Sequence, residues 1–185
     1  MKALPLLHFP LRGGPRRVIG HQIVFVEELN NKSVAYPTWS LALGPGESIQ
    51  SMFPATRGPI ASVGKVLGNR TTSYKYLNPR LFVLLTETST NTSSPMCGIY
   101  LVDATKGSII YRTTVPGSAG ACNVRATLTE NWLVYHYYEE DLAAVVGQAK
   151  GYRMVSVELY EGEHIDDKTE RYDIVFCDAS VLIIE

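Results

Sequence analysis

Gly98-Ile99-Tyr100-Leu101-Val102-Asp103-Ala104-Thr105-Lys106-Gly107-Ser108-Ile109-Ile110-Tyr111-Arg112-Thr113 reads as strand, turn, strand. Two apolar runs flank a short polar turn. Asp103 suits the first position of a type I turn, and Gly107 can take the positive φ that closes it. Side chains alternate along the first run: Ile99 and Leu101 point one way, Tyr100 and Val102 the other. A hairpin with one wet face would alternate apolar and polar residues. This one has to be covered on both faces. Sheets stacked as the blades of a β-propeller meet that requirement.

The surrounding sequence repeats the theme. Ile23 to Val26 is an apolar run suited to a strand. Tyr36 to Leu43 sets Thr38, Ser40 and Ala42 opposite Trp39, Leu41 and Leu43. Leu81 to Leu85 is continuously apolar. Asn123 to Leu128 and Asn131 to Tyr138 read as two strands around Thr129-Glu130, and Tyr152 to Tyr160 as another. Gly44-Pro45-Gly46, Gly68-Asn69 and Asn78-Pro79 punctuate them. No long amphipathic helix appears. Nine or ten short strands at these spacings indicate an all-β fold. A four-stranded blade takes about 40–50 residues. The 185 residues therefore hold about two and a half to four blades, where a closed propeller needs at least about four.

The expected fold is all-β, with antiparallel four-stranded blades of an incomplete β-propeller. The expected division is an irregular lead-in over 1–17, a partial propeller over 18–163 and a divergent tail over 164–185. The run Val181 to Ile184 would end the chain on an unpaired apolar strand, which is unusual for a complete domain.

Composition narrows the function classes. Apolar residues make up 45% and charged residues 19%, as in a globular protein. A net charge of -1 gives no electrostatic reason to expect nucleic acid or anionic lipid. Three cysteines, Cys97, Cys122 and Cys177, cannot all pair within one chain. A Cys97–Cys122 disulfide and buried free thiols both remain open. Asn31, Asn69 and Asn91 begin Asn-x-Ser/Thr sequons and are candidate N-glycosylation sites, a mild pointer to a secretory-pathway lumen. No apolar run approaches the roughly 20 residues of a membrane-spanning helix. Met1 to Pro10 lacks the pattern of a signal peptide.

A search for chemistry yields no catalytic, cofactor-binding or metal-binding residues. His8, His21, His136 and His164 have no ligand partner at metal spacing. Gly117-Ser118-Ala119-Gly120 lacks the spacing of a nucleophile elbow. Cys97 and Cys122 have no adjacent base. Glu139-Glu140-Asp141 and Asp166-Asp167 lie in polar stretches and read as solvated turns. Asn131, Trp132 and Tyr135 read as blade core, with an interface role as the alternative, and Trp132 is expected between blades.

Several segments carry a resemblance. These are Pro37-Thr38-Trp39; Pro59 to Arg70; Tyr74-Lys75-Tyr76-Leu77-Asn78-Pro79; the opening hairpin; Glu130-Asn131-Trp132-Leu133-Val134-Tyr135-His136-Tyr137; and Val157 to Gly162. In this order and spacing, over about residues 17 to 163, the chain resembles the luminal part of the ER membrane protein complex subunit 1 family. The resemblance implies a large, mostly luminal subunit built from β-propellers, with a transmembrane helix elsewhere. It implies a scaffold, not an enzyme, without cofactor. The implied setting is the luminal side of the endoplasmic reticulum membrane, among the other subunits of a complex that inserts and helps fold tail-anchored and multipass membrane proteins. The lack of a signal sequence and of a spanning helix here implies a fragment. Two alternatives stand beside it. A quinoprotein-like propeller enzyme would need ligands converging on a channel. A free-standing propeller-type binding module would need independent stability.

Overall fold

The computed structural model describes residues 6–8, 16–26, 32–88, 95–118, 120–139 and 151–161. Every regular element among them is a strand: β1 (Leu6–His8), β2 (Arg17–Val26), β3 (Lys32–Ala42), β4 (Glu47–Pro54), β5 (Gly64–Val66), β6 (Thr72–Tyr74), β7 (Leu81–Thr88), β8 (Met96–Asp103), β9 (Ile109–Pro116), β10 (Arg125–Thr129), β11 (Trp132–Glu139) and β12 (Gly151–Glu158). No helix among the described residues is long and apolar enough to cross a membrane.

The strands form a first sheet β1-β2-β3, a central sheet β4-β7-β8-β9 and a last sheet β10-β11-β12. The small hairpin β5-β6 is inserted between β4 and β7. Pairing within each sheet is antiparallel. Two features depart from the sequence reading. β4 was not expected at all. β1 pairs with β2 through Leu7 and Gly20, inside the stretch read as irregular lead-in. The tail over 164–185 lies outside the described residues.

The central hairpin is covered on both faces, as its sequence requires. Ile99 and Leu101 join Val83 and Leu85 in one core, which is completed by Leu128, Leu133, Tyr135 and Val157 of the last sheet. Tyr100 and Val102 join Phe82 and Leu84 in a second core, against Val18, Trp39 and Leu41 of the first sheet. The opposite faces of one strand pair thus fill two separate cores. Three sheets stacked in this way are propeller blades, and they do not close into a ring.

The β8–β9 turn follows its expected chemistry. Asp103 Oδ1 accepts the Thr105 amide at 2.7 Å, and the Gly107 amide bonds Asp103 O at 2.8 Å. Gly107 has φ 70°, and a Cβ there would lie 2.5 Å from the Trp39 ring. Glycine is needed both for the turn and for this close approach. Trp39 stacks on Phe82, with ring centroids 6.5 Å apart, and its indole N–H donates to Ala104 O at 2.9 Å. One side chain of the first sheet therefore grips the turn of the central one.

Candidate functional site

Three of the segments that carry the resemblance, Tyr74 to Pro79, Glu130 to Tyr137 and Val157 to Gly162, meet at the junction of the central and last sheets. Tyr76 is fully buried, and its amide donates to Leu159 O at 3.1 Å. Lys75 bridges to Tyr160 through the backbone and reaches Glu130 Oε2 with its ammonium at 2.9 Å. Asn131, also fully buried, donates Nδ2 to Leu159 O at 3.0 Å, and the Leu159 amide returns a bond to Asn131 O at 2.8 Å. Asn78 Nδ2 donates to Tyr76 Oη and to Asp103 Oδ2, each at 3.0 Å, while its Oδ1 accepts the Arg80 amide. Asn78 thus has both ends of its buried amide engaged, as burial requires, whereas the buried Oδ1 of Asn131 has no hydrogen-bond partner among the described residues. The Tyr-Lys-Tyr-Leu-Asn-Pro and Glu-Asn-Trp segments therefore serve as an interlock between neighbouring blades.

Trp132 departs from expectation. It is half-buried, whereas Asn131 and Leu133 on either side are fully buried. Tyr135 is core, as expected, and shares a hydroxyl contact of 3.3 Å with Tyr111. Burial, then that contact, raises the Tyr135 pKa. His136 sits edge-on to Tyr152.

A buried carboxylate was missed by sequence reasoning. Glu47 of β4 is 4% exposed. Its Oε1 accepts the hydroxyls of Thr86 and Tyr100, each at 2.6 Å, and its Oε2 accepts the Gly44 amide at 3.2 Å. Arg112 lies over the Tyr100 ring, 4.9 Å from its centroid. A Cβ at Gly98 would fall 2.2 Å from Thr86 Oγ1 and 3.0 Å from Glu47 Oε1, so the space for this network exists because residue 98 is glycine. Burial alone would raise the Glu47 pKa. The three hydrogen bonds and the Arg112 charge together outweigh it and hold the carboxyl below its ordinary value of 4.5. Burial, with the Glu47 bond, pushes the Tyr100 hydroxyl up to about 12.

A carboxyl with a depressed folded-state pKa adds stability that is complete above its unfolded value and is lost as pH falls through the folded one. Glu47→Gln is therefore expected to flatten the acid limb of stability below about pH 4.5. Urea midpoints measured from pH 6 downward check it. A limb as steep as that of the unaltered protein would show that Glu47 contributes nothing there.

Cys97 of β8 and Cys122, ahead of β10, form a disulfide with Cα atoms 5.5 Å apart. The bond settles the alternative left open by the sequence and links the central sheet to the segment that leads into the last one. Among the described residues, no group of three or more His, Cys, Asp or Glu is placed to hold a metal ion.

A surface feature of the described residues is the β5–β6 hairpin. Val66 and Tyr74 lie on its outward face, 73% and 56% exposed, with Val63 and Leu67 beside them. Lys65, on the other face, pairs with Glu158 at 3.2 Å. At the foot of the hairpin, an open cleft of about 250 Å³ is lined by Ala55, Ile60, Leu77, Pro79 and Glu130, among others. Asn69 occupies the exposed tip. Asn31 and Asn91 lie outside the described residues.

A family model for the second β-propeller of ER membrane protein complex subunit 1 matches residues 3–180. The chain belongs to the ER membrane protein complex subunit 1 family. The match extends over most of the lead-in and into the stretch expected to be divergent. The ER membrane protein complex subunit 1 of Schizosaccharomyces pombe is 34% identical over 139 residues, which is 74% of this chain and 14% of that protein. The Xenopus laevis protein of the same name is 39% identical over 116 residues, 62% of this chain and 10% of its own length. The Gallus gallus protein is 34% identical over 115 residues, again 62% and 10%. The chain thus spans about a tenth to a seventh of the length of these relatives.

Proposed function

We propose that this chain is a non-catalytic scaffold segment of the ER membrane protein complex, on the luminal side of the membrane. There it supports insertion and folding of tail-anchored and multipass membrane proteins. The observation that carries this reading is the interlock. The segments of the family resemblance, Tyr74 to Pro79, Glu130 to Trp132 and Leu159 to Tyr160, hold one blade to the next. Residues engaged in this way make a stiff mount, and a stiff mount gives its loops fixed positions as contact surface. The Cys97–Cys122 bond supports a luminal setting, because disulfides persist in oxidising compartments. The complex itself enters through the names of the relatives.

The test is recovery of the complex. The full-length protein, tagged and purified from ER membranes in mild detergent, is expected to bring other subunits of the complex with it. Purification of the intact protein with none of them would overturn the scaffold reading.

A further inference from the structure

We infer that Asn69 carries an N-linked glycan, which crowns the tip of the β5–β6 hairpin and keeps that tip in the aqueous lumen. This rests on the luminal placement proposed above. Asn69-Arg70-Thr71 fits the acceptor pattern, since its middle residue is not proline. The fold adds three independent points. First, the site lies in an exposed turn. The Leu67 amide bonds Thr71 O at 2.8 Å, the Arg70 amide bonds Leu67 O at 2.9 Å, and Arg70 has φ 67°. Second, Asn69 Oδ1 accepts both the Thr71 amide at 3.0 Å and the Thr71 hydroxyl at 2.6 Å. The carbonyl end of the side chain is thereby held inward, and the Nδ2 end has no hydrogen-bond partner among the described residues. Third, a Cβ built on the neighbouring Gly68 meets nothing within 4 Å, so the tip is surrounded by open space.

The consequence is chemical. Glycosylation replaces one N–H of Nδ2 and leaves Oδ1 untouched. In the transfer, Nδ2 bonds to the anomeric carbon of an oligosaccharide carried on a polyprenyl diphosphate. The bond from that carbon to the diphosphate oxygen breaks, the amide gives up one proton, and the polyprenyl diphosphate leaves. The folded turn keeps every hydrogen bond it has, because Oδ1 makes both of the side chain's hydrogen bonds. The sugar then stands beside Val66 and Leu67, both exposed, and supplies a hydrated cover for an apolar tip.

The experiment uses the full-length protein, expressed through its natural ER route, with Asn31 and Asn91 replaced by Gln. A peptide-N-glycosidase is expected to convert Asn69 to Asp in its peptide, and the untreated protein to run one glycan step above its Asn69→Gln variant. Asn69→Gln and Thr71→Ala are expected to lose the step, and Thr71→Ser to retain it. Thr71→Ser also shows that the turn tolerates change. Arg125→Thr turns the exposed Asn123 into the acceptor of a sequon and reports the compartment separately. A glycan gained through Arg125→Thr with none at Asn69 would overturn the inference and leave the luminal reading intact. No glycan at either position would overturn both.

Discussion

Leu101→Ala is expected to lower the free energy of unfolding by about 3–5 kcal/mol. Leu101 is fully buried on one face of β8, against Val83, Leu128, Leu133 and Val157. Leu84→Ala is expected to cost about as much, within the same 3–5 kcal/mol range. Leu84 is also fully buried, but on the opposite face, among Val18, Phe82, Tyr100 and Val102. A sheet with one wet face would make one of these two substitutions nearly neutral. Two full penalties are the signature of a blade covered on both sides. Each is a large share of the roughly 5–15 kcal/mol that holds a typical domain folded. Urea unfolding of the purified protein measures both, with Val66→Ala on the exposed hairpin as a control expected to stay within about 0.5 kcal/mol. A loss below about 1 kcal/mol at either leucine would mean that its face is not closed.

The two-faced hairpin was legible because its signal is local. Ile99 to Val102 alternates with period two and is apolar at every position, and Asp103 and Gly107 specify their own turn. β4 was illegible for the opposite reason. Glu47, Ser48, Gln50 and Ser51 are polar, and a register shift between Ile49 and Ser51 breaks the alternation. Nothing local announces that Glu47 is buried, because its partners Thr86 and Tyr100 lie 39 and 53 residues away. The interlock was half legible. Its segments carry the family resemblance, yet their role depends on contacts such as Tyr76 with Leu159, far apart in the chain. Trp132 shows a further limit. The run Trp132 to Tyr138 is bulky on both faces, so periodicity gives two candidate core faces and does not choose between them. The fold places Leu133 and Tyr135 against the central sheet and leaves Trp132 half-buried. β1 was illegible because it has three residues and too few alternations to register.

Cys97→Ser is expected to cost about 3–4 kcal/mol, as is Cys122→Ser, and the double replacement no more than either alone. The two cysteines are 25 residues apart, and both are buried. Closing a loop of that length removes freedom chiefly from the unfolded chain. The bond also ties β8 to the approach of β10, so its loss loosens the same junction that Lys75–Glu130 and Tyr76–Leu159 hold. A reductant should lower the urea midpoint of the unaltered protein to that of Cys97→Ser and leave the variant where it is. Labelling gives a second readout. With two of the three cysteines bonded, the denatured, unreduced protein should take up one thiol label per chain, and three after reduction. Three labels without reduction, together with a midpoint indifferent to reductant, would mean the thiols are free. That outcome would also remove the oxidising compartment as support for the luminal scaffold, because two buried thiols packed in the same core are equally compatible with the cytosol.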